Sequence, residues 1–232
     1  MSDPLPRALE ILWDAPTAPK RAGGLSRDRI VAAAVELADA DGLGGLSMAR
    51  LAERLGCGTM SLYRHVANKD ELVTFMLSSA PGPPPAAADP ADWRGGLTNW
   101  AAGLWAIYHR HPWVLAAGAA GPPADPGQVA WLDAGLAALG GTGLAERDKL
   151  AAVMAVLHFV RGAAALDIEA ARVAGPDYSV LLRRFLDTDR FPALAAALDA
   201  EVFDTADDHL ADFHSGLRHL LDGVATRMEA RG

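Results

Sequence analysis

The sequence predicts an all-α fold: an N-terminal helix-turn-helix unit of three short helices, followed by a larger helical domain. Three observations carry that expectation. Hydrophobic residues make up 51% of the chain, Ala and Leu are abundant, and no strand-like alternation stands out, which favours helices over sheet. In both halves apolar residues recur at steps of three and four. Between Ser79 and Trp93, a run of prolines that cannot continue a helix splits the chain into a short unit and a long one.

The expected organisation is an arm over 1–25, a three-helix unit over 26–80, a Pro-rich loop over 81–92 and a helical domain over 93–232. The first 25 residues contain four prolines and set Lys20 and Arg21 just before the first helix. They read as a flexible, solvated tail or, in the alternative, as an arm that reaches a phosphate or a minor groove. The piece from Leu5 to Trp13 is apolar enough for a short helix of unassigned purpose.

The stretch LSMARLAERLGCGTMSLYRHVANKDEL, Leu46 to Leu72, reads as two short helices meeting at Gly56 and a capped third. Ser47 can cap a helix whose Met48, Leu51, Ala52 and Leu55 share a face, and Gly56 supplies the permissive backbone of the turn. A second helix is expected from about Thr59 to Val66. Leu62 and Val66 pack inward at i, i+4, which leaves Thr59, Met60, Ser61, Tyr63, Arg64 and His65 outward. Asn68 and Glu71 form a capping box that starts the next helix and places Lys69 beside its N-terminus, facing a phosphate. Any apolar helical hairpin has a glycine near its turn, so the combination, rather than the turn alone, points to major-groove insertion.

Over Ser26 to about Leu77 these residues resemble the DNA-binding domain of the tetracycline-repressor (TetR) family of transcriptional regulators. The resemblance rests on SRDRIVAAAVELADADG, LSMARLAERLG and SLYRHVANKDEL. It implies a recognition helix over Thr59 to His65, with Thr59, Met60, Ser61 and Arg64 reading bases. Tyr63, His65 and Lys69 fall at phosphate-contacting positions, and Ser47 joins the DNA-facing set. Ala49 stands where the tetracycline repressors have a base-contacting arginine, so a different operator is implied. Met60 replaces a proline and favours contact with a thymine methyl.

The formal net charge is −8, but the acid lies elsewhere: between Lys20 and Leu72 eight bases stand against seven acids, and from Val73 onward twelve against nineteen. A mildly basic unit on an acidic body can bind phosphates while discouraging nonspecific wrapping. The single cysteine, Cys57, excludes an internal disulfide or multi-thiolate metal site and reads as a small packed residue. Neither a signal peptide nor a membrane span is expected, so the expected location is the cytoplasm. The histidines do not converge, and no phosphate-binding Gly-rich loop, HExxH or GxSxG appears; no metal, cofactor or catalytic group is expected.

In the second domain, Asp92 can open a helix of about twenty residues that stops before Pro112. Two narrow seams follow, Leu150, Val153, Leu157, Val160 and Ala164 on a long helix from about Glu146 to Arg172, and Leu210, Phe213, Leu217, Leu220 and Val224 near the C-terminus. Such stripes pair with other helices, either inside one chain or across a twofold axis. The resembled family dimerises through helices of this kind, and two half-sites about 34 Å apart require two readers, so the seams are assigned to a dimer interface.

Beside the first seam run Met154, His158 and Arg161. A cation on an apolar face is costly to bury alone, so Arg161 either pairs with an acid such as Asp167 or holds an anionic or carbonyl group of a ligand. With Trp105, His109, Trp113, Trp131 and Phe159 as aromatic walls, these form the candidate pocket, though each is also ordinary core material. The run LHFVRGAAALDIE resembles the pocket helix of the tetracycline repressors, but Leu166 stands where those carry a metal-positioning glutamate and Ala116 where they carry a histidine. The resemblance therefore implies an organic effector without obligatory metal. It further implies a ligand-responsive repressor on a palindromic operator; an activator or ligand-independent regulator, or more remotely a helical enzyme or carrier, are the alternatives.

Overall fold

In a computed structural model, the structure describes residues 6–14, 24–86, 89, 91–118, 122–172, 178–203 and 209–229. These residues form twelve helices and no strand. Ser26 Oγ accepts the Arg29 amide and opens α2, Arg27–Gly45, whose backbone breaks at Gly42. Ser47 caps α3, Met48–Arg54, in the same way, and α4, Thr59–Tyr63, follows after the turn. At that turn Gly56 takes φ +65° while the Cys57 amide reaches back to the Ala52 carbonyl at 3.0 Å. This left-handed closure satisfies the end of α3 and sends the chain off at an angle.

Asn68 Oδ1 accepts the Glu71 amide at 2.8 Å and starts α5, Lys69–Ser79. The Glu71 carboxylate closes the box one residue upstream of the expected partner, on the Ala67 amide at 3.0 Å. Leu51, Leu62, Val66 and Leu72 are fully buried, each contributing about 1.5–3 kcal/mol, which holds so short a unit together.

α6, Trp93–Arg110, is capped by Asp92. The short α7, Trp113–Ala117, leads to α8, Pro126–Ala138, which is capped by Asp125. The long α9, Glu146–Ala170, packs on α6 and α8, and α12, His209–Glu229, packs on α9. α10, Tyr178–Phe185, and α11, Pro192–Asp199, pack on each other. One continuous core runs from Ile30 and Phe75 through Leu97 and Trp100 to Val156 and Leu217. The two units therefore share an interior.

Three expectations change in three dimensions. The short helix read from Leu5 to Trp13 forms as α1, Arg7–Trp13, but instead of belonging to a flexible arm it is packed on α5 with Ala8 buried; Lys20 and Arg21 lie outside the described residues. The reader is shorter than expected, ending at Tyr63 with Arg64 as its cap. The two seams are largely buried inside one chain, against different neighbours: Val153 lies over Gly135 of α8, Phe213 packs on Phe159 and Trp105, and Val160 and Leu217 are buried too, joined by Leu221 rather than Leu220. Leu157 turns to a cavity, Leu220 and Val224 are half-buried, and only Leu150 and Leu210 are well exposed. The apolar step sequence fixed which side chains share a face, and packing chose the nearer partner.

Candidate nucleic-acid interface and effector cavity

The outer face of α3 and α4 is open and chemically mixed. Met60 is 75% exposed, and Thr59, Tyr63 and Arg64 are exposed beside it, while Ser61 and His65 are half-buried. Arg64 Nη2 donates to Ser61 Oγ at 2.9 Å, so its guanidinium lies back over its own helix and keeps its remaining donors outward. Ser47 is exposed, but its hydroxyl accepts the Arg50 amide at 3.2 Å. As acceptor it caps α3, and its O–H is still free to donate outward.

Lys69 is anchored to the fold as well. Its ammonium donates to the Leu43 and Leu46 carbonyls at 2.9 and 2.8 Å, closing the end of α2. The sequence showed a lysine beside a helix N-terminus but not the orphan carbonyls of another helix beside it.

The far end of α5 reaches a cavity of about 380 Å³. Leu77 and Pro81 line it from that side, Trp100, Tyr108 and Trp131 supply aromatic walls, and Met154, His158 and Arg161 enter from α9. Of the eight expected pocket residues, Trp131, Met154, His158 and Arg161 are at this cavity. Trp105 and Phe159 line a second depression with Asp167 and Phe213. His109 sits with Nε2 2.6 Å from the Asp167 carboxylate and Nδ1 2.9 Å from the Trp105 carbonyl. Trp113 is buried and donates to Asp39 Oδ1 at 2.7 Å. Trp100, Tyr108 and Leu104 were missed because ordinary core apolar spacing and a wall of a cavity look alike in a sequence.

Arg161 does not pair with Asp167. Its Nη2 donates to the Leu115 carbonyl at 2.8 Å, and its guanidinium carbon lies 5.9 Å from the Tyr108 ring centre. Burial raises the Tyr108 pKa above its ordinary 10.0, and the neighbouring Arg161 charge only partly opposes this. The hydroxyl is therefore a neutral donor at physiological pH. Among the described residues no cluster of His, Cys, Asp or Glu could hold a metal ion.

A solvent-facing reader after a tight glycine turn, joined by one helix to a cavity-bearing helical domain, defines a one-component DNA-binding transcriptional regulator. The chain belongs to the TetR family. Residues 30–74 match the model for bacterial regulatory proteins of the tetR family, and residues 85–228 that for the tetracyclin repressor-like C-terminal domain. The HTH-type transcriptional repressor DrrR1 of Streptomyces coeruleorubidus is 36% identical across 99% of this chain and 89% of its own length. The class A tetracycline repressor of Escherichia coli is 31% identical across 88% of this chain and 92% of its own. Among solved structures, the TetR protein SCO7222 of Streptomyces coelicolor superposes with TM-score 0.71 at 29% identity, covering 88% of this chain and 99% of that one. ActR from the same organism, crystallised with actinorhodin, shares the fold with TM-score 0.76 at 24% identity, covering 89% and 99%.

Proposed function

We propose that the protein is a homodimeric transcriptional repressor, working in the cytoplasm, that binds a palindromic operator and leaves it when a small organic effector fills the cavity. The observation that carries this reading is α5: it starts against the reader and ends at the cavity wall. It has eleven residues, hence a length of about 16 Å, and moves as one rod.

A second connection runs through α7. Arg161 holds the Leu115 carbonyl at one side of α7. On the other, His111 Nδ1 and Trp113 Nε1 both meet Asp39 of α2 at 2.7 Å. An effector that draws Arg161 from Leu115 would loosen α7 and, through Asp39, shift α2 and the reader it supports. A tenfold loss of operator affinity needs only about 1.4 kcal/mol of preference for the shifted state.

Dimerisation is supported by α9, a long, strongly apolar helix of which only a minority of residues is buried in a single chain. Its Lys149, Arg161 and Asp167 and its packing on α6, α8 and α12 argue for a second chain, not a membrane, as the cover. The DNA face carries no convergent acid, base or nucleophile, which favours recognition over catalysis.

The test is selection of bound fragments from a random duplex library at physiological salt. A recovered palindrome with half-sites about 34 Å apart supports the reading, and no enrichment with folded protein sinks it.

A further inference from the structure

Seventeen described residues line the cavity, and none is Asp or Glu. Its polar groups are Arg161, His158, Gln128 and the Tyr108 hydroxyl. The indoles offer none, because Trp100 Nε1 already donates to the Trp131 carbonyl at 2.7 Å and Trp131 Nε1 to the Gly82 carbonyl at 2.9 Å. Both rings are also held against glycines: a Cβ on Gly135 would stand 2.9 Å from Trp100, and one on Gly103 2.8 Å from Trp131. Flat hydrocarbon faces are thus fixed in place before any ligand arrives.

Arg161 is half-buried and meets a carbonyl and an aromatic ring, with no carboxylate partner among the described residues. The acid nearest along its own helix, Asp167, is engaged by His109. A guanidinium has five N–H donors, so its bonds to the Leu115 carbonyl and the Tyr108 hydroxyl leave others unspent. A cation at the wall of an apolar cavity without a counter-charge is costly, and an anion entering the cavity relieves that cost. A neutral ligand can accept a hydrogen bond from it but brings no counter-charge.

We infer that the effector is a planar aromatic acid, a carboxylate or an acidic phenol, whose rings lie against Trp100 and Trp131 and whose anionic oxygens pair with Arg161. This rests on the reading of the cavity as the effector site. At about 380 Å³ the space lies near the small end of the ~300–1,000 Å³ range for small-molecule sites, so a compact fused-ring acid suits it better than a long-chain one. Arg161 has donors for both the Leu115 carbonyl and the ligand anion, so a pull of the anion on its guanidinium is passed to Leu115, which would tie charge recognition to the position of α7.

The probes are anthracene-2-carboxylate and its neutral isostere anthracene-2-carboxamide, titrated into the full-length protein by calorimetry and by quenching of tryptophan emission. The expected result is a carboxylate preference of about tenfold or more, which is about 1.4 kcal/mol. Arg161→Gln should abolish that preference while still binding the amide, and Arg161→Lys, which keeps the charge, should retain part of it. Equal binding of the two probes by the unmutated protein overturns the anionic assignment but leaves the cavity as an aromatic site. A preference that survives Arg161→Gln overturns the role of Arg161. Binding of neither probe overturns this inference, whereas the effector-site reading falls separately, if operator release proves independent of the cavity residues. The unmutated comparison stands even where a variant fails to fold.

Discussion

The guanidinium of Arg7 grips both carboxylate oxygens of Glu71, at 2.8 and 2.7 Å, across sixty-four positions of chain. The partners are unequally placed, with side-chain exposures of 59% for Arg7 and 6% for Glu71. Glu71 also receives the Ala67 amide, and Trp13 at the other end of α1 donates to the Ala124 carbonyl at 3.0 Å. The first helix thus straps the start of α5 to the segment before α8.

Loss of Glu71 should accordingly hurt more than loss of Arg7. Arg7→Ala is expected to lower the unfolding free energy by about 1 kcal/mol, and Glu71→Ala by about 2–3 kcal/mol, since the second also removes a helix cap. The double variant should fall short of the sum, and chemical denaturation of all four proteins measures this. Strict additivity would mean the pair contributes nothing.

Arg64 and Lys69 should separate cleanly. Arg64 is exposed and bonded only within its own turn, so Arg64→Ala should leave the melting temperature unchanged and weaken operator binding by about 1–3 kcal/mol. Lys69→Ala should instead destabilise the fold by about 1 kcal/mol, because two carbonyls at the end of α2 lose their donor. Melting curves beside operator titrations decide it; an unchanged melt for Lys69→Ala would return that residue to the phosphate backbone.

At Gly127 the backbones of α8 and α5 run close together. A Cβ there would fall inside van der Waals contact with the Ser78 carbonyl, while the Gly127 amide meets Ser78 Oγ at 3.3 Å. Gly127→Ala must push α8 from α5, at a cost of about 1–3 kcal/mol. Operator affinity should change less than effector-driven release does, as read by displacement of labelled operator DNA. Release at the original effector concentration would remove α5–α8 contact from the coupling route.

Tyr108 should leave a mark at alkaline pH. Its folded pKa is raised above 10.0 by burial, with Arg161 opposing, so the unfolded chain loses this proton first as pH climbs. The associated stability is complete below pH 10.0 and is lost as pH rises through the folded value. Tyr108→Phe should flatten the fall in melting temperature above pH 10. Parallel curves for the two proteins would contradict it.

What the sequence determined by itself is local. Ser26, Ser47, Asn68 and Asp92 open helices because a cap is a bond to an amide three residues on, and Gly56 turns the chain because glycine takes the required left-handed φ without the cost a Cβ brings. Those few positions, with the mixed outer face after them, made the reader legible. What only the tertiary structure decided is which surface each face meets. Periodicity showed that Val153 and Phe213 belong to apolar stripes, yet both are consumed inside one chain. Asp167 went to His109 and left Arg161 without a carboxylate among the described residues, Lys69 found carbonyls of α2, and Arg7 found Glu71. Spacing along a helix specifies direction about its axis, whereas a partner on another helix depends on how the helices cross, and that is settled by the packing of the whole core.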